Sequence, residues 1–148
     1  MPETVTVAAE AMATRFEVAL HGAPEAILRA AAEEALAEIA RLEGMLSLYQ
    51  PTSEIAHINT RGDREPVRVS PEVFSLLEHC VALGEQTGGC FDITLAPLMR
   101  CWRFMNDSGA VPSDAALAEA RALCGWPQLR LDPEHTTVHL ATKRAMLD

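Results

Sequence analysis

The stretch Thr87-Gly88-Gly89-Cys90-Phe91-Asp92-Ile93-Thr94 concentrates the residue types that can hold a ligand. Two consecutive glycines can supply the left-handed residue that closes a helix, and they let backbone approach a bound molecule closely. An aromatic ring and a carboxylate follow on adjacent positions. In extended backbone the two would point to opposite faces; at a turn both can line one pocket. Read alone, the stretch is a helix stop, a turn and one buried phenylalanine, because glycine pairs are common turn signals. Other candidates stand apart from it. Tyr49 is the one tyrosine of the chain; by itself it reads as a ring at the core edge, at a helix end, with its hydroxyl in water. Met12 by itself reads as core filler, since methionine fills irregular gaps. His135 and His139 are four positions apart, but on a strand that spacing is not the helical metal pair. No metal ligand is assigned.

Composition narrows the partners. A chain of 148 residues is one domain or part of one. Hydrophobic residues make up 49% and charged residues 22%, the balance of a soluble globular protein. The net charge of -9 argues against nucleic acid, because phosphate backbones bind basic surfaces, and against an anionic membrane surface. An anionic small molecule would need local help from backbone N–H groups, a few Arg or Lys, or a divalent metal. The cysteines Cys80, Cys90, Cys101 and Cys124 form no CxxC pair and read as reduced thiols. The start of the chain has no basic region and no long apolar run, and no segment approaches transmembrane length. The cytoplasm is the expected location.

The elements that must position these residues follow from periodicity. Residues 3–10 and 14–20 alternate apolar and polar, each a strand with one wet face. Met12 between them marks either a hairpin turn or a bulge. Pro24 and Glu25 open a helix with apolar residues at Leu28, Ala32, Leu36, Ile39, Leu42 and Leu46, and surface pairs Glu25/Arg29 and Glu38/Arg41. Pro51 is expected to stop it. Ser53 caps a short helix through Ile55 and Ile58 that ends near Asn59. Arg61-Gly62-Asp63 turns into the short strand Val67-Arg68-Val69. Ser70-Pro71-Glu72 opens the next helix, with a buried stripe of Val73, Leu76, Leu77, Cys80 and Leu83/Gly84. Beyond Asp92, Leu95 to Phe104 reads as a short buried helix and Asn106-Asp107-Ser108-Gly109 as a loop. Pro112-Ser113-Asp114 starts a helix that Gly125 closes, with Leu117, Ala120 and Leu123 inward. Leu129 and Leu131 pair with Thr137-Val138-His139-Leu140 across Asp132-Pro133-Glu134. The chain ends on Ala145-Met146-Leu147-Asp148, an apolar run read as the start of a strand, with no turn or polar tail after it. It is expected to be the N-terminal part of a longer protein. The fold class is α+β: mostly antiparallel strands with helices packed against them, truncated at an incomplete sheet.

The order of the segments carries a resemblance. Met12-Ala13-Thr14-Arg15-Phe16 precedes a helix ending in Arg41-Leu42-Glu43. Next come Leu46-Ser47-Leu48-Tyr49, Ser53-Glu54-Ile55 and Val69-Ser70-Pro71-Glu72. Thr87 to Thr94 precedes Pro97-Leu98 and Trp102-Arg103-Phe104, and Gly125-Trp126 and Leu147-Asp148 close the series. Together they resemble the N-terminal half of the ApbE family, the FAD:protein FMN transferases, across nearly all of residues 1–148.

The resemblance implies an enzyme that binds FAD with Mg2+, breaks its pyrophosphate, moves FMN onto a Thr or Ser hydroxyl of a target protein and releases AMP; some relatives hydrolyse FAD instead. The family's FAD contacts would fall on Met12, Tyr49, Cys90, Phe91, Asp92 and Asp148. Methionine and aromatic side chains would pack against flat rings of the cofactor, and the carboxylates would accept hydrogen bonds. These segments would then form one wall of a crevice for the dinucleotide. The loop and the acidic cluster that the family uses for Mg2+ and hydroxyl activation fall after the position of Asp148, so no catalytic residue is assigned and transfer by this chain alone is not expected. Departures from the family pattern are Ala13, Ala96 and Arg103, each where glycine is usual, and Cys90, where a small Ala or Ser is common. Two other readings stay open: a flavin-binding module without transfer activity, and an α+β interaction domain that forms a homo-oligomer through its final strand.

Overall fold

Apolar–polar alternation at the start of the chain produces an antiparallel hairpin, β1 (Thr4–Ala11) and β2 (Thr14–His21). The computed structural model describes residues 4–106 and 108–148. Glu3 of the expected first strand and Asp107 of the expected loop lie outside the described residues. Strand register runs without interruption from Thr4↔His21 to Ala11↔Thr14, so only Met12 and Ala13 remain to make the turn. Both are left-handed, at φ 50° and 55°, as a tight two-residue hairpin turn demands. The hairpin reading holds, and the bulge reading does not. α1 (Glu25–Leu46) packs on the hairpin and buries Leu28, Ala32 and Leu36. Its expected surface pairs form, Arg29 to Glu25 at 2.9 Å and Arg41 to Glu38 at 2.8 Å. The helix ends at Leu46, earlier than expected. Proline restricts only itself and the residue before it, so Pro51 does not set the end; Ser47 is already extended, with its N–H on the Glu43 carbonyl at 2.9 Å.

The contact pattern separates the chain into two compact units, Met1–Ser47 and Leu48–Asp148. In the second unit α2 (Glu54–Arg61) starts where the Ser53 hydroxyl accepts the Ala56 N–H at 2.9 Å. β3 (Val67–Arg68) leads into α3 (Pro71–Gln86), capped by Ser70, whose hydroxyl donates to Glu54 at 2.7 Å. α3 buries Val73, Phe74, Leu77 and Gly84, and leaves Leu76 42% exposed. The expected stripe is therefore off by one flank. On a helical wheel Phe74 and Leu76 lie about 80° to either side of the line through Val73, Leu77 and Gly84, and the larger ring goes inward. At Gly84 a Cβ would meet the Trp126 side chain at 3.1 Å, so this glycine lets α3 approach the 3-10 turn Trp126–Gln128.

The sheet of this unit places β5 (Thr137–Leu140) between β3 and β4 (Leu129–Asp132), all antiparallel. Val67, Leu129, Val138 and Leu140 are buried along it. Two further helices, α4 (Ala96–Cys101) and α5 (Asp114–Ala122), lie between α3 and β4 in the chain. Three expectations change here. The buried helix read over Leu95 to Phe104 stops at Cys101, because Arg103 is left-handed at φ 57°; Leu95 is 39% and Phe104 53% exposed. The final apolar run is no strand, although Ala145, Met146 and Leu147 are buried. That removes the free strand on which the interaction-domain reading relied.

Candidate functional site

The corner after α3 is built by side-chain and glycine capping together. The Thr87 hydroxyl donates to the Leu83 carbonyl at 2.7 Å and accepts the Phe91 N–H at 3.0 Å. Gly88 and Gly89 take φ 61° and 84°, a pair of left-handed residues that side chains would disfavour, and the Gly89 N–H returns to the Gly84 carbonyl at 2.8 Å. The chain thus reverses within three residues and presents Cys90 and Phe91 at the surface. Phe91 is 38% exposed; the plain expectation of a buried ring is overturned.

Asp92 then folds the loop onto itself. Its Oδ1 accepts the Thr94 N–H at 2.8 Å and the Thr94 hydroxyl at 2.6 Å. Thr94 is fully buried, and its hydroxyl also accepts the Gly125 N–H at 2.6 Å. One hydroxyl therefore pins the ligand-type loop to the turn before β4. The Cys124 thiol beside this junction is held above its ordinary pKa, chiefly by burial, with a hydrogen bond from the Leu98 backbone opposing and the Asp92 carboxylate adding.

The end of the chain joins the same place. Asn59, in the last turns of α2, grips Leu147 with both ends of its amide: Nδ2 donates to the Leu147 carbonyl at 2.9 Å, and Oδ1 accepts the Leu147 N–H at 2.8 Å. Asp148, exposed, follows and donates its N–H to the Ile93 carbonyl at 2.9 Å. The structure thus brings Asp148 to the Cys90–Thr94 loop. From sequence Asn59 marks only a helix end; the signal for more is a poor helix former placed inside a helix, where such side chains look for backbone partners.

Tyr49 lies between α1 and α2, not at a helix end, and is 64% exposed. It lines a cavity of about 560 Å3 with Leu48, Arg100, Arg103 and Met105. A second cavity, about 520 Å3, opens among α2, α4, α5 and residues 143–146, and includes Arg64, Arg100, Lys143 and Arg144. Cys90, Phe91, Asp92 and Asp148 line neither. Met12 belongs to the first unit, where its N–H donates to Glu43 Oε1 of α1 at 2.7 Å and its side chain is 45% exposed; it is not core filler. Among the described residues no group of three or more His, Cys, Asp or Glu is placed to hold a metal ion. His135 is engaged with Asp132 at 2.9 Å through Nδ1. No helix among the described residues is long and apolar enough to cross a membrane.

A helix-backed hairpin followed by a helical unit around a three-stranded antiparallel sheet defines an α+β protein, and solved structures share this fold. The crystal structure of the ApbE protein from Thermotoga maritima superposes with a TM-score of 0.89 at 24% identity, over 99% of this chain and 47% of that one. The flavin transferase ApbE from Vibrio cholerae gives 0.81 at 23% identity, over 100% of this chain and 48% of that one. The sequence pattern of the ApbE family matches residues 12–148. This chain belongs to the ApbE family. Among curated relatives, an FAD:protein FMN transferase of Treponema pallidum is 32% identical over 108 residues, 73% of this chain and 30% of that protein. One of Klebsiella pneumoniae is 28% identical over 138 residues, 90% of this chain and 44% of that protein. The chain therefore spans half or less of the relatives' length.

Proposed function

We propose that this chain forms part of the flavin pocket of an FAD:protein FMN transferase. The observation that carries the reading is the hydrogen bond from the Asp148 N–H to the Ile93 carbonyl, 2.9 Å, which holds Asp148 against the Cys90–Thr94 loop. Cys90, Phe91, Asp92 and Asp148 stand at positions that the family resemblance gives to cofactor contacts, and residues far apart in sequence meet there. Membership of the family supports the same reading.

In the proposed reaction the hydroxyl oxygen of a Thr or Ser on a target protein attacks the flavin-side phosphorus of FAD. The bond from that phosphorus to the bridging oxygen breaks, AMP leaves with the electron pair, and the hydroxyl proton passes to a base. Such phosphoryl chemistry rests on positioning and charge neutralisation, and Mg2+, when bound, supplies the latter. The described residues offer no cluster to ligate it, so no step is assigned to it on this chain. What these residues do is bind and orient: Tyr49 and Phe91 pack against flat rings, while Asp92 and Asp148 accept hydrogen bonds beside Cys90. A cytoplasmic setting with reduced thiols belongs to the same proposal.

Thermal unfolding with ligands tests it. FAD, binding the folded chain alone, should raise the melting temperature with concentration, and ATP at the same concentration should raise it less. No shift with FAD, or an equal shift with ATP, would refute a flavin pocket.

A further inference from the structure

Arg103 unites three observations. It is left-handed at φ 57°, a conformation that disfavours every residue with a Cβ. It breaks α4 from the 3-10 turn that follows, so the strain accompanies the placement of its own side chain. It lines the same cavity as Arg100 and Tyr49, and no carboxylate among the described residues lines that cavity. Neither arginine side chain has an ion pair or hydrogen bond among the described residues. In a chain of net charge -9, two guanidiniums sharing a cavity without a carboxylate make a local positive site against the global field. Strained backbone held at a cavity points to use by a ligand.

We propose that Arg100 and Arg103 form a diphosphate-binding site beside Tyr49. Two planar forks match the spread oxygens of a diphosphate, each able to give paired charge-assisted hydrogen bonds. The tyrosine ring beside them provides a face for a base or flavin ring attached to that diphosphate. Under the reading above, the ligand is the diphosphate of FAD; the inference rests on that reading for the ligand's identity, not for the anion chemistry. Arg103 is then a ligand-binding residue of this chain, standing where its family resemblance expects glycine.

The test uses the 148-residue chain and titrations with inorganic pyrophosphate, FAD and riboflavin. Wild type should bind pyrophosphate, more weakly as salt rises. Arg103→Gly and Arg100→Gln should each weaken pyrophosphate and FAD by about tenfold or more, with riboflavin unchanged and Arg103→Lys intermediate. Arg103→Gly removes the backbone strain, so its melting temperature should not fall, and a loss of binding cannot be ascribed to unfolding. Wild type that ignores pyrophosphate, or Arg103→Gly that binds it like wild type, overturns the site. Pyrophosphate binding that depends on both arginines, with no FAD binding, keeps the diphosphate site and refutes the flavin reading instead.

Discussion

Thr94 shows how much one buried hydroxyl can organise. It donates to Asp92 and accepts from the Gly125 N–H, with no exposure to water. Thr94→Val keeps the shape and deletes both bonds, leaving the Gly125 N–H without its acceptor. A donor left without its acceptor costs up to about 1–3 kcal/mol when fully buried, and for the part-buried Gly125 N–H a loss within that bound should appear in urea unfolding. Thr94→Ser, which keeps the oxygen and drops a methyl, should recover most of the difference. Equal stabilities for the Val and Ser variants would show that packing, not the hydroxyl, holds the loop. The Thr-Gly-Gly corner and its neighbouring carboxylate were legible in sequence because glycine and Asp have strong local preferences. The partners of Thr94 and Asn59 were not. Gly125 and Leu147 are distant in the chain, and no periodicity encodes which buried hydroxyl or amide meets which backbone group.

Among the elements, the hairpin and the sheet each carry a prediction. Ala13 completes the β1–β2 turn at φ 55°, where glycine is the natural residue. Left-handed backbone costs a residue with a Cβ about 1–2 kcal/mol, less about 0.5–1 kcal/mol of extra chain entropy for glycine. Ala13→Gly should therefore stabilise the chain by up to about 1 kcal/mol, read as a higher denaturation midpoint; a lower midpoint would mean that the methyl is packed. Ala96, the other alanine where glycine is usual, differs: it is fully buried in the first turn of α4, and its backbone is not left-handed.

The β4–β5 turn is sensitive to acid. The hydrogen bond from His135 holds the Asp132 carboxyl below its ordinary pKa, aided by the Glu134 and His135 backbone N–H groups. A depressed carboxyl stabilises the fold above its unfolded pKa, about 3.9, and that contribution is lost as pH falls through the folded value. Wild type should thus exceed Asp132→Asn in melting temperature near pH 6, and the gap should close below about pH 4. A gap that persists at lower pH would place the effect in turn geometry instead of charge. Most elements were legible because caps are local: Ser53, Ser70 and Ser113 each accept from the N–H three residues on. The two helix ends that differ, at Leu46 and Cys101, carry no glycine cap that sequence could show.

At the scale of the whole molecule, binding and transfer separate. Cleaving a pyrophosphate requires neutralising charge on the leaving phosphate and deprotonating the incoming hydroxyl. The described residues supply rings, carboxylates near the Cys90–Thr94 loop and an arginine-lined cavity, but no cluster that could hold a divalent metal. The chain also spans only 47% and 48% of the solved relatives, so most of their length has no counterpart to contribute here. Two arginines can offset part of a diphosphate's charge, yet they give no base for the hydroxyl. The expected outcome is that this chain, mixed with FAD, Mg2+ and a Thr- or Ser-bearing target protein, yields no flavin-fluorescent band on a denaturing gel, even where thermal unfolding shows FAD bound. A fluorescent target band, absent when FAD is omitted, would mean that residues 1–148 already assemble a complete transfer site.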